Sequence, residues 1–210
     1  MLLSFNDYVR AYRVIRSVID SYPRTDARYS CIAFAIGGMR ILRDHYGANA
    51  TVSVGGAVYR LGPDEADTLC YGKVENGELI TARDAFHCWI SADAHYIDFM
   101  APLFPEVMRT EGRPTVSGPK MFQRRHAEKK YLDDLARPGD FAYQSIHEDI
   151  AVDILYDFLT KPAYEDMWMT MSRWFARTPK KIAREIELFE VKSNGMIKIP
   201  LSNAPVDGSW

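Results

Sequence analysis

His87-Cys88-Trp89-Ile90, followed after a short turn by His95-Tyr96-Ile97-Asp98, is the stretch that decides how this chain reads. Both segments have the texture of strands in one antiparallel hairpin. With the turn centred between Ala92 and Asp93, pairing sets Ser91 against Ala94 and His87 directly against Asp98. Opposed residues on one face have Cβ atoms about 4.5–5.5 Å apart, close enough for a carboxylate to accept an imidazole N–H. Such a bond fixes the ring's tautomer and direction. Alternation places Phe86, Cys88, Ile90, Ile97 and Phe99 on a core side, and His87, Trp89, Tyr96 and Asp98 on an aromatic and polar side.

A histidine held by a carboxylate needs a nucleophile, and the upstream candidate is Cys31. It opens the segment Cys31-Ile32-Ala33-Phe34-Ala35-Ile36-Gly37-Gly38-Met39-Arg40-Ile41-Leu42, a predicted helix with Ser30 as its N-cap. A thiol in a first turn faces free backbone N–H groups and the positive end of the helix dipole, which favour the thiolate. Apolar residues at Ile32, Ala35, Ile36, Met39 and Leu42 cover more than one face, so the helix is expected to be central and firmly packed.

Around these two segments the chain reads as α+β. Ser4 with Asp7, then Tyr8, Tyr12, Ile15 and Ile19, predicts a first amphipathic helix to about Asp20, ended by Tyr22-Pro23. The Cys31 helix should stop at Tyr46-Gly47. Strands follow from Thr51 to Leu61, with Gly55-Gly56 suggesting a bulge, and from Leu69 to Val74, paired across Asn76-Gly77 with Leu79-Ile80. Proline and glycine after Met100 predict an irregular connection. Beyond it lie a strand at 140–144, a helix marked by Ile150, Ile154 and Phe158, and a helix with an apolar stripe from Tyr164 to Phe175. A closing hairpin at 186–191 and 196–199 turns around Asn194-Gly195. No linker or repeat divides the 210 residues, so one domain over 1–210 is expected.

The order of a helix-borne Cys, a strand-borne His and an Asp on the next strand, with the texture His87-Cys88-Trp89 and Ile97-Asp98, resembles the transglutaminase-like branch of the papain-like cysteine enzymes. The resemblance spans roughly residues 25 to 102. It implies a papain-like α+β fold with the nucleophile helix packed on an antiparallel sheet. It also implies Cys31 as nucleophile, His87 as general acid/base and Asp98 as the orienting acid. The implied activity is acyl transfer on an amide or peptide substrate, by hydrolysis or to an amine. Asp98 is followed here by Phe99 rather than the proline frequent in that superfamily, and Asn6 is the sole amide residue upstream of Cys31. With no glutamine before the cysteine, oxyanion donors fall to the Cys31 N–H and the Tyr29 hydroxyl, and Trp89 and Tyr96 become candidates for a substrate groove.

Composition sets the remaining expectations. A net charge of −2 gives no whole-chain attraction to nucleic acid or anionic membrane. Three cysteines at 31, 70 and 88 match neither a disulfide framework nor metal-finger spacing, which fits a reducing, cytoplasmic setting. Cys70 and Cys88 read as inert core residues. Cys88 and His87, as strand neighbours, point to opposite faces and do not read as a shared zinc site; no metal and no cofactor are expected. The basic run from Arg124 to Lys130 reads as solvated surface, since it lacks interleaved aromatics. The competing expectation is a non-catalytic binding protein on the same scaffold, using the Trp89/Tyr96 face or the C-terminal helices for a partner.

Overall fold

The structure, a computed structural model of the chain, describes residues 2–22, 25–113, 117–176, 185–190 and 195–200. Helix α1 (Phe5–Ser21) is capped by the Ser4 hydroxyl, which accepts the Asp7 N–H, and it buries Tyr8, Tyr12, Ile15 and Ile19. Helix α2 (Cys31–Tyr46) ends at Gly47 in the left-handed conformation and buries ten of its sixteen residues. Such burial follows from its position. It packs on α1, on the later helix α5 (Pro162–Ala176) and on the sheet.

The main sheet is antiparallel throughout and is organised by one long strand, β1 (Ala50–Arg60). Along one edge of β1 run β5 (His87–Ala92), paired with residues 50–55, and then β2 (Thr68–Tyr71), paired with residues 57–60. Strand β8 (Phe141–Ser145) takes the other edge, so Gly55 is bonded to His87 on one side and to Ser145 on the other. Strands β6 (His95–Ile97) and β7 (Gln123–Arg125) extend the sheet beyond β5. One face carries Ile90 and Phe99 against α2. The other curls around an aromatic cluster of Tyr59, Trp89, Phe104, Phe122, Phe141 and Tyr143. Helices α3 (Phe104–Thr110) and α4 (Glu148–Thr160) and the two-stranded ribbons β3 (Lys73–Glu75) with β4 (Glu78–Ile80), and β9 (Glu185–Glu190) with β10 (Gly195–Pro200), complete the described chain.

Several expectations are corrected. Gly55-Gly56 is no bulge, because β1 runs straight through it; the glycine serves close approach, since a Cβ at Gly55 would lie 2.0 Å from the Gln144 carbonyl oxygen. The segment 69–74 is two strands broken at Gly72, whose φ of 134° an L side chain rarely adopts. The connection after Met100 contains α3, begun by a proline in its first turn. The 186–191 and 196–199 hairpin forms, with Ile197 opposite Leu188, while residues 191–194 lie outside the described residues. Among the described residues no helix is long and apolar enough to cross a membrane.

The central hairpin is also shifted by two residues from the expected register. Asp93 adopts a positive φ of 50°, so Asp93-Ala94 form a two-residue turn and Ala92 pairs with His95. On the β6 side this register no longer sets Asp98 directly opposite His87, and on its other edge β5 pairs His87 with Gly55 of β1. A slip of two keeps every side chain on its original face, whereas a slip of one would have reversed them.

Candidate active site

Because the face is preserved, His87 and Asp98 still meet as diagonal neighbours, with Nε2 2.7 Å from Oδ2. The acid is an acceptor, so Nε2 carries the proton and Nδ1 is left facing away from Asp98. The carboxylate is held from three sides. Tyr59 donates its hydroxyl to the same Oδ2 at 2.6 Å, the Met100 N–H donates to Oδ1 at 2.9 Å, and Tyr143 touches the Tyr59 hydroxyl at 2.8 Å. Tyr8 reaches the Asp98 backbone carbonyl with its own hydroxyl. All of this is dry: His87 is 0% and Asp98 2% exposed.

Cys31 is the first residue of α2. Ser30 occupies the N-cap position but supplies no cap bond, because its hydroxyl is turned back to the Asp26 carbonyl at 2.7 Å. The first-turn N–H groups are thus not consumed by a side-chain cap. Cys31 thus lies where the start of α2 meets the start of β5, close enough to Cys88 and His87 for both to act on its thiol. The Cys88 thiol, acting as hydrogen-bond donor, and then the His87 imidazole outweigh burial and draw the Cys31 thiol down to about 5. Burial works against a charged His87, but the Asp98 carboxylate and the Cys31 sulfur overcome it and raise the ring to about 9. A thiolate–imidazolium pair is the state these groups favour. Among the described residues Nδ1 has no formed hydrogen bond, so its approach to Cys31 is looser than a closed bond, as is common in sites without substrate.

A pocket of about 350 Å³ opens over Cys31, walled by Arg28, Tyr29, Cys70, Tyr71, Phe86 and Glu111 among others. Of Cys31, His87 and Asp98, Cys31 alone lines it, 9% exposed; His87 is not among its lining residues and carries the Tyr71 ring stacked on it at 4.3 Å and 16°. The remaining site expectations fare differently. Tyr29 stands at the pocket but is 70% exposed. Trp89 is 1% exposed and stacked on Tyr143 at 4.1 Å, so it belongs to the aromatic core and not to a substrate wall. Tyr96 lies against His126 at 4.2 Å and does not line the pocket. Trp89 fails as a groove residue because the curled sheet buries it, whereas Tyr96 is only partly buried but stands on the β6–β7 side, opposite Arg124 and away from the pocket.

Cys88 is buried as alternation requires, yet its thiol reaches Cys31, and burial holds it protonated. Cys70, expected in the core, is half-buried at the pocket, with burial pushing its thiol up. Tyr59, Tyr71 and Tyr143 were not foreseen, because no spacing in the sequence ties them to Asp98 or His87. Among the described residues no three His, Cys, Asp or Glu side chains gather as a metal-binding group.

A family model described as a protein of unknown function, DUF2026, matches residues 4–210. The chain belongs to the DUF2026 family. A solved crystal structure of a genomics target is similar to it at 31% identity, with a TM-score of 0.83, over 100% of this chain and 98% of that one. Among curated proteins none matches.

Proposed function

We propose that the protein is a cysteine-dependent acyl-transfer enzyme on a papain-like, transglutaminase-like scaffold, most simply a hydrolase of an amide or peptide bond. The observation that carries this reading is the His87 Nε2–Asp98 Oδ2 pair, 2.7 Å apart and buried, beside a cysteine at a helix start that alone of the three lines a pocket. In this reading the Cys31 thiolate attacks the substrate carbonyl carbon, a C–S bond forms, and the carbonyl electron pair moves to oxygen. Collapse of that intermediate breaks the C–N bond while His87 Nδ1 gives its proton to the departing amine. Neutral His87 next takes a proton from water, whose oxygen attacks the thioester and releases the acid and the thiolate. An amine in place of water would yield a new amide from the same acyl-enzyme.

Asp98 has two tasks in this scheme: it keeps Nε2 protonated, so that Nδ1 is the exchanging atom, and it stabilises the imidazolium. The experiment uses p-nitrophenyl acetate as an activated acyl donor, with mass spectrometry of the intact chain and its peptides. An acetyl group on Cys31 in the wild type, missing in Cys31→Ala and strongly slowed in His87→Ala, supports the proposal. Acetylation spread evenly over lysines and cysteines would end it.

A further inference from the structure

The scheme above leaves the negative charge of the tetrahedral intermediate with one backbone donor, the Cys31 N–H, and the sequence offered Tyr29 as the second. The structure favours a different tyrosine. Tyr71 is the last residue of β2, paired with Ala57, and it lines the same pocket as Cys31. Its hydroxyl oxygen is shielded from solvent and has no hydrogen-bond partner among the described residues. A buried hydroxyl without a partner has given up its water for nothing, so folds rarely retain one without a use.

Its ring is held in place. It is stacked on His87 at 4.3 Å and set against Tyr59 edge-on at 6.4 Å and Phe104 at 6.1 Å. A donor fixed to the same imidazole that serves the nucleophile keeps its position relative to the reacting sulfur, which is what preorganised stabilisation requires. Tyr29, 70% exposed, has no comparable support. Burial first, and then the Asp98 and Cys31 charges, hold the Tyr71 hydroxyl well above its ordinary range, so it remains a neutral O–H donor.

We infer that Tyr71 is the side-chain oxyanion donor of this site, its hydroxyl paired with the Cys31 N–H around the oxygen of a carbonyl seated in the pocket. The inference rests on the acyl-transfer reading. As the C–S bond forms and the carbonyl π electrons shift to oxygen, the Tyr71 O–H donates a hydrogen bond to that oxygen and keeps its proton. When the C–N bond breaks, the carbonyl re-forms and the bond to Tyr71 relaxes.

The test pairs two reagents on Tyr71→Phe, which removes the oxygen and keeps the ring stack. Acylation of Cys31 by p-nitrophenyl acetate passes through an oxyanion, whereas alkylation by iodoacetamide displaces iodide at a saturated carbon and forms none. Acylation should fall on the order of 10²-fold, with alkylation unchanged and the thermal midpoint equal or higher, since an unpaired buried hydroxyl has been deleted. Equal losses with both reagents would assign Tyr71 to positioning His87 and overturn the inference, as would no loss with either. If wild-type Cys31 alkylates selectively but takes no acetyl group, the acyl-transfer reading itself fails, and the oxyanion assignment with it.

Discussion

At pH 6 the three cysteines should separate sharply in their reaction with iodoacetamide. With the Cys31 thiol drawn down to about 5 and an ordinary thiol at 9.0, Cys31 is nine-tenths thiolate at this pH, an excess of about 900-fold over an unshifted cysteine. Part of that advantage is lost, because a thiolate four pK units less basic is intrinsically slower, by roughly 40- to 100-fold for a Brønsted slope near 0.4–0.5. The net preference is about tenfold or more. It would shrink to near parity at neutral pH, which is why the assay belongs at pH 6. Cys70 is the internal control: it lines the same pocket and is half-buried, so access alone favours it, yet its thiol is pushed up by burial. Peptide mapping after limited alkylation between pH 4.5 and 9 should give a Cys31 rate that rises through about 5 and then levels, while the Cys70 rate climbs about tenfold per pH unit to above 9. A Cys31 rate that climbs in parallel with Cys70 across pH 6–8 would refute the thiolate–imidazolium pair.

Asp98→Asn should move the Cys31 midpoint upward toward the ordinary thiol range, because the charge that raises His87 is lost, and it should slow acylation more than alkylation; the same pH series reads this. Stability should also respond to pH with a definite sign. Below the ordinary histidine value of 6.5 the unfolded chain holds protons on both groups and the folded one only on His87, so stability rises from about 5 to 6.5. Between 6.5 and 9 each state holds one proton and the pair contributes no slope; in Cys31→Ser the rise should vanish, and thermal midpoints across that range check it. Tyr59→Phe should lower stability by about 1–3 kcal/mol in urea unfolding, since it strips one donor from Asp98 and the partner from Tyr143. Gly38→Ala should cost about 1–3 kcal/mol, because the new Cβ would lie 2.3 Å from the Phe99 ring and 2.7 Å from Ile90, forcing α2 off the sheet; an unchanged urea midpoint would contradict this packing.

The pattern of side chains was enough to place α1, α2, α4, α5 and most strands, though not the short α3. Ser4 and Gly47 bracket helices because capping is a local interaction, and the strand alternation at 87–90 and 95–98 is likewise local. The observed hairpin register differs by two residues from the one the turn residues suggest, yet His87 and Asp98 still meet, because parity is set by the pleat and not by the turn. Trp89 is buried, and not accessible as expected, because alternation tells which side chains share a face but not whether that face is covered.

What the sequence determined by itself is therefore the set of local elements, and with them a cysteine at a helix start and a histidine and an acid on one side of a hairpin. Where the long strand β1 exchanges partners at Gly55, that Cys88 and Tyr71 flank the nucleophile, and that Tyr59 steadies the acid were decided only by tertiary structure. The reason is physical: these relations join residues tens of positions apart through sheet edges and curvature, whose geometry is fixed by the packing of the whole core and by no single segment of chain.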